Sequence, residues 1–337
     1  MSKITIVNSL PEADWRQFVE QNPHGNIFHT PEMFKVFSGT KGYDPELWAG
    51  VNGGKILALF LPVRISLMKG FFQPITSRSI VYGSVLYSSG NEGIEAVDLL
   101  ISTYIHEANK KPLFTELRNL TDLTEIQPLL SKQGFQYEDH LNYLINLDKP
   151  VEAIFNSIGS RTRKTLRHSF NKESVIIEEI NEKEELELCY NLIRQTYLGA
   201  RVPLADSSLF DAAFDILYPL GMIRFTSARV NKSIASTSVE LLYKKAIYGW
   251  YGGTDRSLSS YSPNEILTWN ILKWGAENGF ELYDFGGAGK PGKKYGVRDF
   301  KAKFGGELVC YGRNTCVHKP LLFKLSKIGY SIFRRFL

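Results

Sequence analysis

Cysteine is scarce in this sequence, and its few residues form no motif. Cys189, Cys310 and Cys316 include no C-x-x-C pair, and three cysteines cannot all be paired within one chain. Small secreted domains use paired cysteines to stabilise their folds, whereas cytosolic proteins keep their thiols reduced. We therefore expect reduced thiols in a cytoplasmic protein.

Long apolar segments are missing as well. No stretch approaches the roughly 20 apolar residues that a transmembrane helix requires. The first residues, from Met1 to Pro11, contain no apolar run of signal-peptide length, which again favours a cytoplasmic location. The net charge of +5 leaves room for local basic patches. Such patches favour phosphate-rich partners or peripheral contact with anionic lipid at the cytoplasmic membrane.

Common catalytic motifs do not occur. The six histidines are scattered, without an H-x-x-x-H or H-E-x-x-H pattern, so the sequence predicts no metal site. The absence of G-x-S-x-G removes the commonest indication of a serine hydrolase. Residues 287–294, Gly-Ala-Gly-Lys-Pro-Gly-Lys-Lys, approach a P-loop, but Lys294 stands where a Ser or Thr hydroxyl would hold magnesium. A basic glycine-rich loop beside a substrate phosphate is the favoured interpretation.

The two halves of the chain repeat one order of elements. A chain of 337 residues is long for one core, so two domains are expected. Each half shows a hairpin, a Tyr-Gly element, a helix and two strands, at 46–58, 82–83, 92–110, 113–117 and 135–139, and again at 225–235, 251–252, 263–278, 281–285 and 307–311. This order predicts an α/β fold of two similar units. The boundary is expected at Asp148-Lys149-Pro150, which favours a turn.

The C-terminal segment, residues 319–337, is amphipathic and contains no acid. Apolar residues recur at helical spacing, at Leu321, Leu325, Ile328, Ile332 and Phe336, with basic residues on the other side. A helix packed on the first domain has this pattern. A helix lying on anionic lipid has it too, and the sequence leaves both interpretations open.

A second basic stretch covers residues 161–168. Arg163 and Arg167 are neighbours on a helix at i,i+4, where like charges repel unless an anion lies opposite. A phosphate-bearing partner, such as tRNA or a diphosphate, would supply that anion. A solvated basic face is the alternative.

The most informative block combines glycine pairs with one lysine. Residues 281–287, Glu-Leu-Tyr-Asp-Phe-Gly-Gly, read as a strand that ends in an acid and two glycines, and residues 300–307, Phe-Lys-Ala-Lys-Phe-Gly-Gly-Glu, follow. Glycine pairs let the backbone approach a ligand closely. Lys301 lies between Phe300 and Phe304. A fixed cation beside open backbone suits acyl transfer to an amine, because negative charge develops on the carbonyl oxygen.

In this order, the block resembles the C-terminal signature of the FemABX-like branch of the GNAT acyltransferases. Residues 21–25, Gln-Asn-Pro-His-Gly, and the segment from Thr30 to Val36 resemble the family's opening helix and basic site. The resemblance implies two tandem GNAT-like domains with mixed sheets flanked by helices, and a C-terminal helix that packs back on the first. Residues 1–148 with 318–337 would form the acceptor-side domain, and residues 149–317 the donor-side domain.

The resemblance also implies site residues. Lys301 is similar to the family lysine that faces the acyl ester, with Phe300 shaping the channel and Asp284 orienting the site, although an acid at a strand end is often a turn cap. Implied substrate-binding residues are Lys35 for acceptor phosphates, Arg201, Tyr251, Gly286 and Gly287, and we add Arg163 and Arg167 from the basic stretch.

The function implied is N-acyltransfer of an aminoacyl or acyl group onto an amine of a phosphate-bearing cell-envelope precursor, peptidoglycan or polysaccharide. No tightly bound cofactor is expected; the co-substrate would be aminoacyl-tRNA or acyl-CoA. A CoA-type GNAT opens its central helix with a glycine-rich turn that holds the pyrophosphate, and residues 255–263 contain no glycine. The alternatives are an acetyl-CoA-dependent acetyltransferase of an amino sugar and a non-catalytic membrane-surface module that binds a glycan or lipid diphosphate.

Overall fold

The computed structural model of the protein describes residues 4–66, 76–108, 112–170 and 174–333. Its α-helices are α1 Glu12–Gln21, α2 Pro31–Ser38, α3 Asn91–Ala108, α4 Gln127–Lys132, α5 Val151–Ser157, α6 Ser160–Phe170, α7 Lys183–Ala200, α8 Ser208–Leu217, α9 Pro263–Glu277, α10 Gly296–Ala302 and α11 Pro320–Phe333.

The β-strands are β1 Thr5–Val7, β2 Tyr43–Pro45, β3 Trp48–Asn52, β4 Lys55–Phe60, β5 Val63–Ser66, β6 Ser77–Tyr82, β7 Leu86–Tyr87, β8 Phe114–Arg118, β9 Gln136–Glu138, β10 Leu141–Asn146, β11 Ile176–Glu179, β12 Ile223–Val230, β13 Ser233–Tyr243, β14 Ala246–Thr254, β15 Leu282–Gly287, β16 Glu307–Cys310 and β17 Arg313–Val317.

The chain divides into two compact units. The first contains Met1–Asp139 and Tyr311–Leu337, and the second is His140–Cys310. Each combines helices with a sheet that contains both parallel and antiparallel pairs, so the predicted α/β class with mixed sheets is confirmed.

Both boundaries of the units differ from the predicted ones. β10, which the sequence assigned to the first domain, pairs with β15 and β16 in the second unit. β17, which the sequence assigned to the second domain, pairs with β8 and β9 in the first unit. Alternation of apolar residues shows that a segment is a strand but not which sheet it joins. Each repeat of the sequence is therefore followed by a strand that completes the sheet of the other repeat.

The second unit is built on a seven-stranded sheet in the order β11-β12-β13-β14-β15-β10-β16. α9 packs on β12 and β13, and α7 packs on β13 and β14. Trp269 and Leu272 of α9 join Ile145, Ile247 and Phe304 in one buried cluster. Each such side chain stabilises the fold by about 1.5–3 kcal/mol when it leaves water, so this cluster fixes the position of the sheet.

The first unit contains a six-stranded sheet, β2-β5-β6-β8-β17-β9, and a four-stranded sheet, β1-β3-β4-β7. α3 packs on β3 and β4, where Tyr104 lies edge-on to Phe60 with ring centroids 4.9 Å apart. The Tyr104 hydroxyl is 2.8 Å from Thr115 Oγ1, which in turn is 2.8 Å from His318 Nε2. This chain of polar contacts ties β8 to the segment that precedes α11.

The C-terminal helix belongs to the first unit, as predicted, but a different face is packed. Phe323 contacts Phe114 edge-on, with ring centroids 5.2 Å apart. Leu321 and Leu325, two residues of the apolar stripe, are 79% and 62% exposed, so at these positions the stripe is not packed on the first unit. Helical spacing shows which residues share a face but not which face finds a partner. Phe336, also assigned to the stripe, lies outside the described residues. Contact of this helix with lipid stays a prediction.

Two glycines of the second unit test how closely α7 approaches the sheet. A Cβ atom added to Gly253 of β14 would lie 2.7 Å from the backbone nitrogen of Ile193, whereas a Cβ at Gly199, also in α7, meets nothing within 4 Å. We expect Gly253→Ala to lower the free energy of unfolding by about 1–3 kcal/mol, because the backbone must move. Gly199→Ala should leave it unchanged or raise it by up to about 1 kcal/mol, because alanine favours helix.

Denaturant unfolding of both variants measures this difference. Equal stability of the Gly253→Ala and Gly199→Ala proteins would contradict the close approach of α7 to β14.

Candidate active site

β14 and β15 separate part-way along their length. They pair in parallel at three positions, the last of which joins Tyr248 to Asp284. Beyond Tyr248, β14 continues to Thr254 and pairs with β13. We call the gap between the two strands beyond this pair, beside the end of β15, the cleft. Strand edges of this kind present backbone N–H and C=O groups to which an extended ligand can bind.

The register of β14 changes at the same point. Val239 of β13 pairs with Tyr251 and Glu240 pairs with Gly249, so Trp250 is the extra residue of a β-bulge. A bulge bends the strand and increases its twist, and bulges are common beside active sites. The bulge therefore accounts for the departure of β14 from β15.

Glycines line the start of the cleft on both strands. Gly286 has a φ of +69°, and a Cβ there would lie 3.3 Å from the Gly249 carbonyl oxygen. A Cβ on Gly249 would lie 2.9 Å from the hydroxyl of Tyr283. Gly286 favours glycine because of its positive φ, and a side chain at Gly249 would have to displace the hydroxyl of Tyr283.

Lys301 reaches this glycine segment from α10. Its side chain is buried, and Nζ donates to the carbonyl oxygens of Phe285, Gly286 and Gly287 at 2.5, 3.0 and 2.9 Å. An ammonium group has three N–H donors, so these carbonyls occupy all of them. The lysine thus holds the end of β15 in its curled shape. Its predicted direct contact with the acyl carbonyl stays a prediction.

Asp284 supplies the neighbouring negative charge. Its Oδ1 accepts hydrogen bonds from Asn142 Nδ2 at 2.6 Å and from the backbone nitrogen of Gly286 at 2.7 Å. Burial raises the pKa of Asp284, while these two donors and the charge of Lys301 oppose the rise. Burial lowers the pKa of Lys301 to about 8, and the carboxyl group of Asp284 opposes that change. Asp284 therefore caps the glycine turn and partly compensates the buried lysine.

Aromatic rings surround the part of β14 that has left β15. The ring of Tyr251 lies 4.9 Å from that of Phe210, 5.0 Å from that of Trp250 and 5.8 Å from that of Tyr197, measured between centroids. Burial raises the pKa of Tyr197 to about 12, so it stays protonated at neutral pH. These rings give the cleft an apolar wall beside its exposed backbone groups.

Comparison with known proteins agrees with this geometry. Residues 159–301 match the model of the acetyltransferase (GNAT) domain. The second unit contains a GNAT domain. A search of curated proteins finds no match.

Solved structures share the fold of almost the whole chain. FemX is 15% identical with a TM-score of 0.73, covering 95% of this chain and 99% of that one. The C-terminal domain of a putative lysylphosphatidylglycerol synthetase from Agrobacterium fabrum is 13% identical with a TM-score of 0.58, covering 93% of each chain. A tandem GNAT protein from the clavulanic acid biosynthesis pathway is 10% identical with a TM-score of 0.58, covering 94% of this chain and 99% of that one. The predicted fold of two tandem GNAT-like domains, like that of FemX, is confirmed.

The other residues predicted for the GNAT domain have local partners. Phe300 packs against Phe304, with centroids 5.3 Å apart, at the margin of the core. Arg163 donates to the Asn156 carbonyl oxygen, and the Arg167 guanidinium lies 5.4 Å from the centroid of Phe155. Arg201 ends α7 with a φ of +54°. A role for these residues in substrate binding stays a prediction.

Lys35 lies on α2 of the first unit. Its Nζ is 2.8 Å from Glu12 Oε1, and both side chains are half exposed. The ion pair orients Lys35 at the surface, and its contact with an acceptor phosphate stays a prediction.

Within the described ranges, no helix is long and apolar enough to span a bilayer. No group of three or more potential metal ligands occurs among the same residues.

Sequence analysis missed a buried carboxyl group in the GNAT domain. Glu240 is 1% exposed, and its Oε2 has no hydrogen-bond partner. Arg224 of β12 is opposite Glu240 in the strand register. Its Nη1 is buried without a hydrogen-bond partner, and its guanidinium lies 4.2 Å from the centroid of the Trp274 ring. Burial raises the pKa of Glu240 to about 7, opposed by Ser238 and Arg224.

We predict that Glu240 makes stability depend on pH. Its folded pKa of about 7 exceeds the ordinary value of 4.5, so the folded state binds the proton more tightly. The free energy of unfolding should therefore fall between about pH 4.5 and pH 7, at up to about 1.4 kcal/mol per pH unit. Glu240→Gln should remove this fall and be more stable than the wild type at pH 7.

Denaturant unfolding between pH 4.5 and pH 8 measures the effect. Glu277→Gln, at a half-exposed position beside Lys273, is the matched control and should keep the slope of the wild type. A Glu240→Gln protein with the same slope would show that this carboxyl group does not titrate in that range.

Proposed function

We propose that the protein is an N-acyltransferase that moves an acyl or aminoacyl group onto an amine of a cell-envelope precursor, peptidoglycan or polysaccharide. The observation that carries the proposal is the separation of β14 from β15 after Tyr248 and Asp284, inside a GNAT domain. The exposed edge of β14 suits the amide groups of an extended donor. The glycines opposite leave room for its reactive carbonyl.

The reaction requires little beyond positioning and charge stabilisation. The acceptor amine forms a C–N bond to the donor's carbonyl carbon, and the bond from that carbon to sulfur or oxygen breaks. The amine loses a proton, and the departing thiol or hydroxyl group gains one. Alignment of the two reactants supplies much of the rate enhancement, and donors aimed at the developing oxyanion supply more.

Lys301 serves this reaction by holding backbone. Its contacts with three successive carbonyl oxygens fix Phe285, Gly286 and Gly287, which form one side of the cleft. Its charge lies in a buried position, where electrostatic effects are stronger than in water. We therefore treat Lys301 as a positioning residue. Direct contact with the acyl oxygen would require one carbonyl to give up its hydrogen bond.

Lys301→Met should lower turnover at least about tenfold, because the glycine segment loses its anchor and the cleft its charge. Lys303→Met is the control, since Lys303 is exposed in the same segment and pairs with Glu265 at 2.8 Å. Steady-state kinetics with circular dichroism of each variant measure the effect. Unchanged turnover in a folded Lys301→Met protein would remove Lys301 from the mechanism.

Two donors fit different observations. The GNAT match supports an acyl-CoA. The segment before α9 counts against CoA and therefore favours aminoacyl-tRNA. It is a 3₁₀ helix, Arg256–Tyr261, followed by Ser262 in a left-handed conformation, instead of the glycine-rich turn that would hold the CoA pyrophosphate. The Asp255 carboxylate accepts from Ser257 N and Oγ at 2.8 and 2.7 Å. A carboxylate at this position disfavours a phosphate beside it.

The likenesses in fold support an envelope acceptor. FemX shares the fold of the whole chain, and the Agrobacterium protein is named for a lysylated phospholipid. Both proteins have low sequence identity to this chain. The proposal of an envelope acceptor therefore rests on their names together with the FemABX-like block at residues 283–305.

Mass spectrometry tests donor and acceptor together. The purified protein is incubated with envelope-precursor extract and either pooled acyl-CoAs or pooled charged tRNA, with Lys301→Met as the matched control. We expect an acceptor whose mass rises by one acyl or aminoacyl group with one donor pool only. Acceptor binding without any mass increase would replace the proposal with a non-catalytic binding module. Transfer of acetyl groups alone would identify an acetyl-CoA-dependent acetyltransferase.

A further inference from the structure

The first unit carries a group of charged residues along its own parallel strand pair, β6 and β8. β6 and β8 run parallel, and their pairing ends at Tyr82 and Arg118, as that of β14 and β15 ends at Tyr248 and Asp284. Where the second unit has an acid and glycines, this site has guanidinium groups. We call Arg78, Arg118 and Arg313 the arginine cluster.

The three arginines project from one face of the sheet. Arg118 pairs with Tyr82 of β6 and with Arg313 of β17. Arg78 lies four residues before Tyr82 on β6, and therefore on the same face, because side chains alternate along a strand. Like charges directly opposite each other destabilise a pair of strands, so an anion is needed at this face.

Glu116 supplies part of that negative charge. Its Oε1 is 2.8 Å from Arg118 Nε and 3.4 Å from Arg313 Nη1. The guanidinium of Arg118 also lies over the ring of Tyr82, 5.3 Å from its centroid. The side chains of Arg118 and Arg313 are 34% and 28% exposed, so solutes can reach them. Glu138 pairs with Arg313 on its other side and adds a second carboxyl group.

Arg78 is only partly compensated. Burial raises the pKa of Glu116, but the charges of Arg118, Arg313 and Arg78 together hold it below its ordinary value. Its Nε is buried and has no hydrogen-bond partner. Across residues 4–66, 76–108, 112–170 and 174–333, no carboxylate forms an ion pair with it. A buried guanidinium nitrogen without a partner costs free energy comparable to a lost hydrogen bond. The unpartnered donor of the cluster is therefore at Arg78.

We infer that the arginine cluster binds a phosphate or diphosphate group of the acceptor substrate. Guanidinium groups match phosphate oxygens with two parallel hydrogen bonds each, and Arg78 has a donor to offer. A phosphate would also relieve the repulsion between Arg118 and Arg313. That the phosphate belongs to the acceptor rests on the proposed function, whereas the binding of phosphate by these residues does not.

Isothermal calorimetry without a donor tests the inference separately from catalysis. The probes are inorganic pyrophosphate, uridine diphosphate, and phosphatidylcholine vesicles that contain farnesyl diphosphate. We expect the wild type to bind at least one with a dissociation constant below about 1 mM. Arg78→Met should weaken that binding at least tenfold, and Arg78→Lys, which keeps the charge but loses the fork, by less. Binding of the nucleotide alone would indicate a soluble phosphate source, and binding of the vesicles alone a lipid source.

Arg64→Met is the matched control. Arg64 lies on β5, pairs with Asp44 and is opposite Ser79, so it projects from the other face of the same sheet. Its replacement should change the affinity less than twofold. The inference is overturned if the wild type binds none of the probes at about 10 mM, or if folded Arg78→Met and Arg78→Lys proteins bind as the wild type does. Failure of acyl transfer with intact phosphate binding would count against the proposed function alone.

Discussion

The candidate site depends on one buried ammonium group. Lys301 is 8% exposed, and a charge so far from water is costly unless hydrogen bonds and opposite charge compensate it. Three carbonyl oxygens and the nearby Asp284 carboxyl group provide that compensation. Because the carbonyls belong to consecutive residues at the end of β15, the contacts that satisfy the lysine also define the shape of the cleft. The same hydrogen bonds therefore compensate the buried charge of Lys301 and fix the backbone of residues 285–287.

Part of this site could be predicted from sequence because it is local. The block at 281–287 and 300–307 placed Lys301 beside Gly286 and Gly287, and the side chain does contact their carbonyl oxygens. The sequence could not show that these contacts use all three N–H donors, because backbone carbonyls carry no signal in the residue types. It pointed to an ammonium facing a substrate, which stays a prediction; the contacts that the structure shows are with the backbone of residues 285–287.

The remaining differences concern long-range pairing and burial. Alternating residues identified the strands at 135–139 and 307–311, but they could not show that β10 and β17 each join the other unit's sheet. Glu240 was missed for a related reason. An acid in a strand is ordinarily assigned to the solvated face of the sheet, and only the packing of α9 on β12 and β13 makes that face an interior. Leu321 shows the reverse case, an apolar residue of a helical stripe that is largely exposed.

The duplicated scaffold gives each of the two proposed sites, which differ in chemistry, a parallel strand pair. In the second unit the parallel pairing stops while β14 continues to Thr254, and in the first unit it stops where β6 and β8 themselves end. In the second unit, Asp284 and Lys301 bring opposite charges together, and glycines leave space, which suits the uncharged carbonyl of an acyl donor. In the first unit, Arg78, Arg118 and Arg313 share one face of the sheet with Glu116, and the proposed ligand there is an anion. In both proposals, the shared backbone sets where a ligand would bind, and the charged residues on and beside the strands set which ligand that would be.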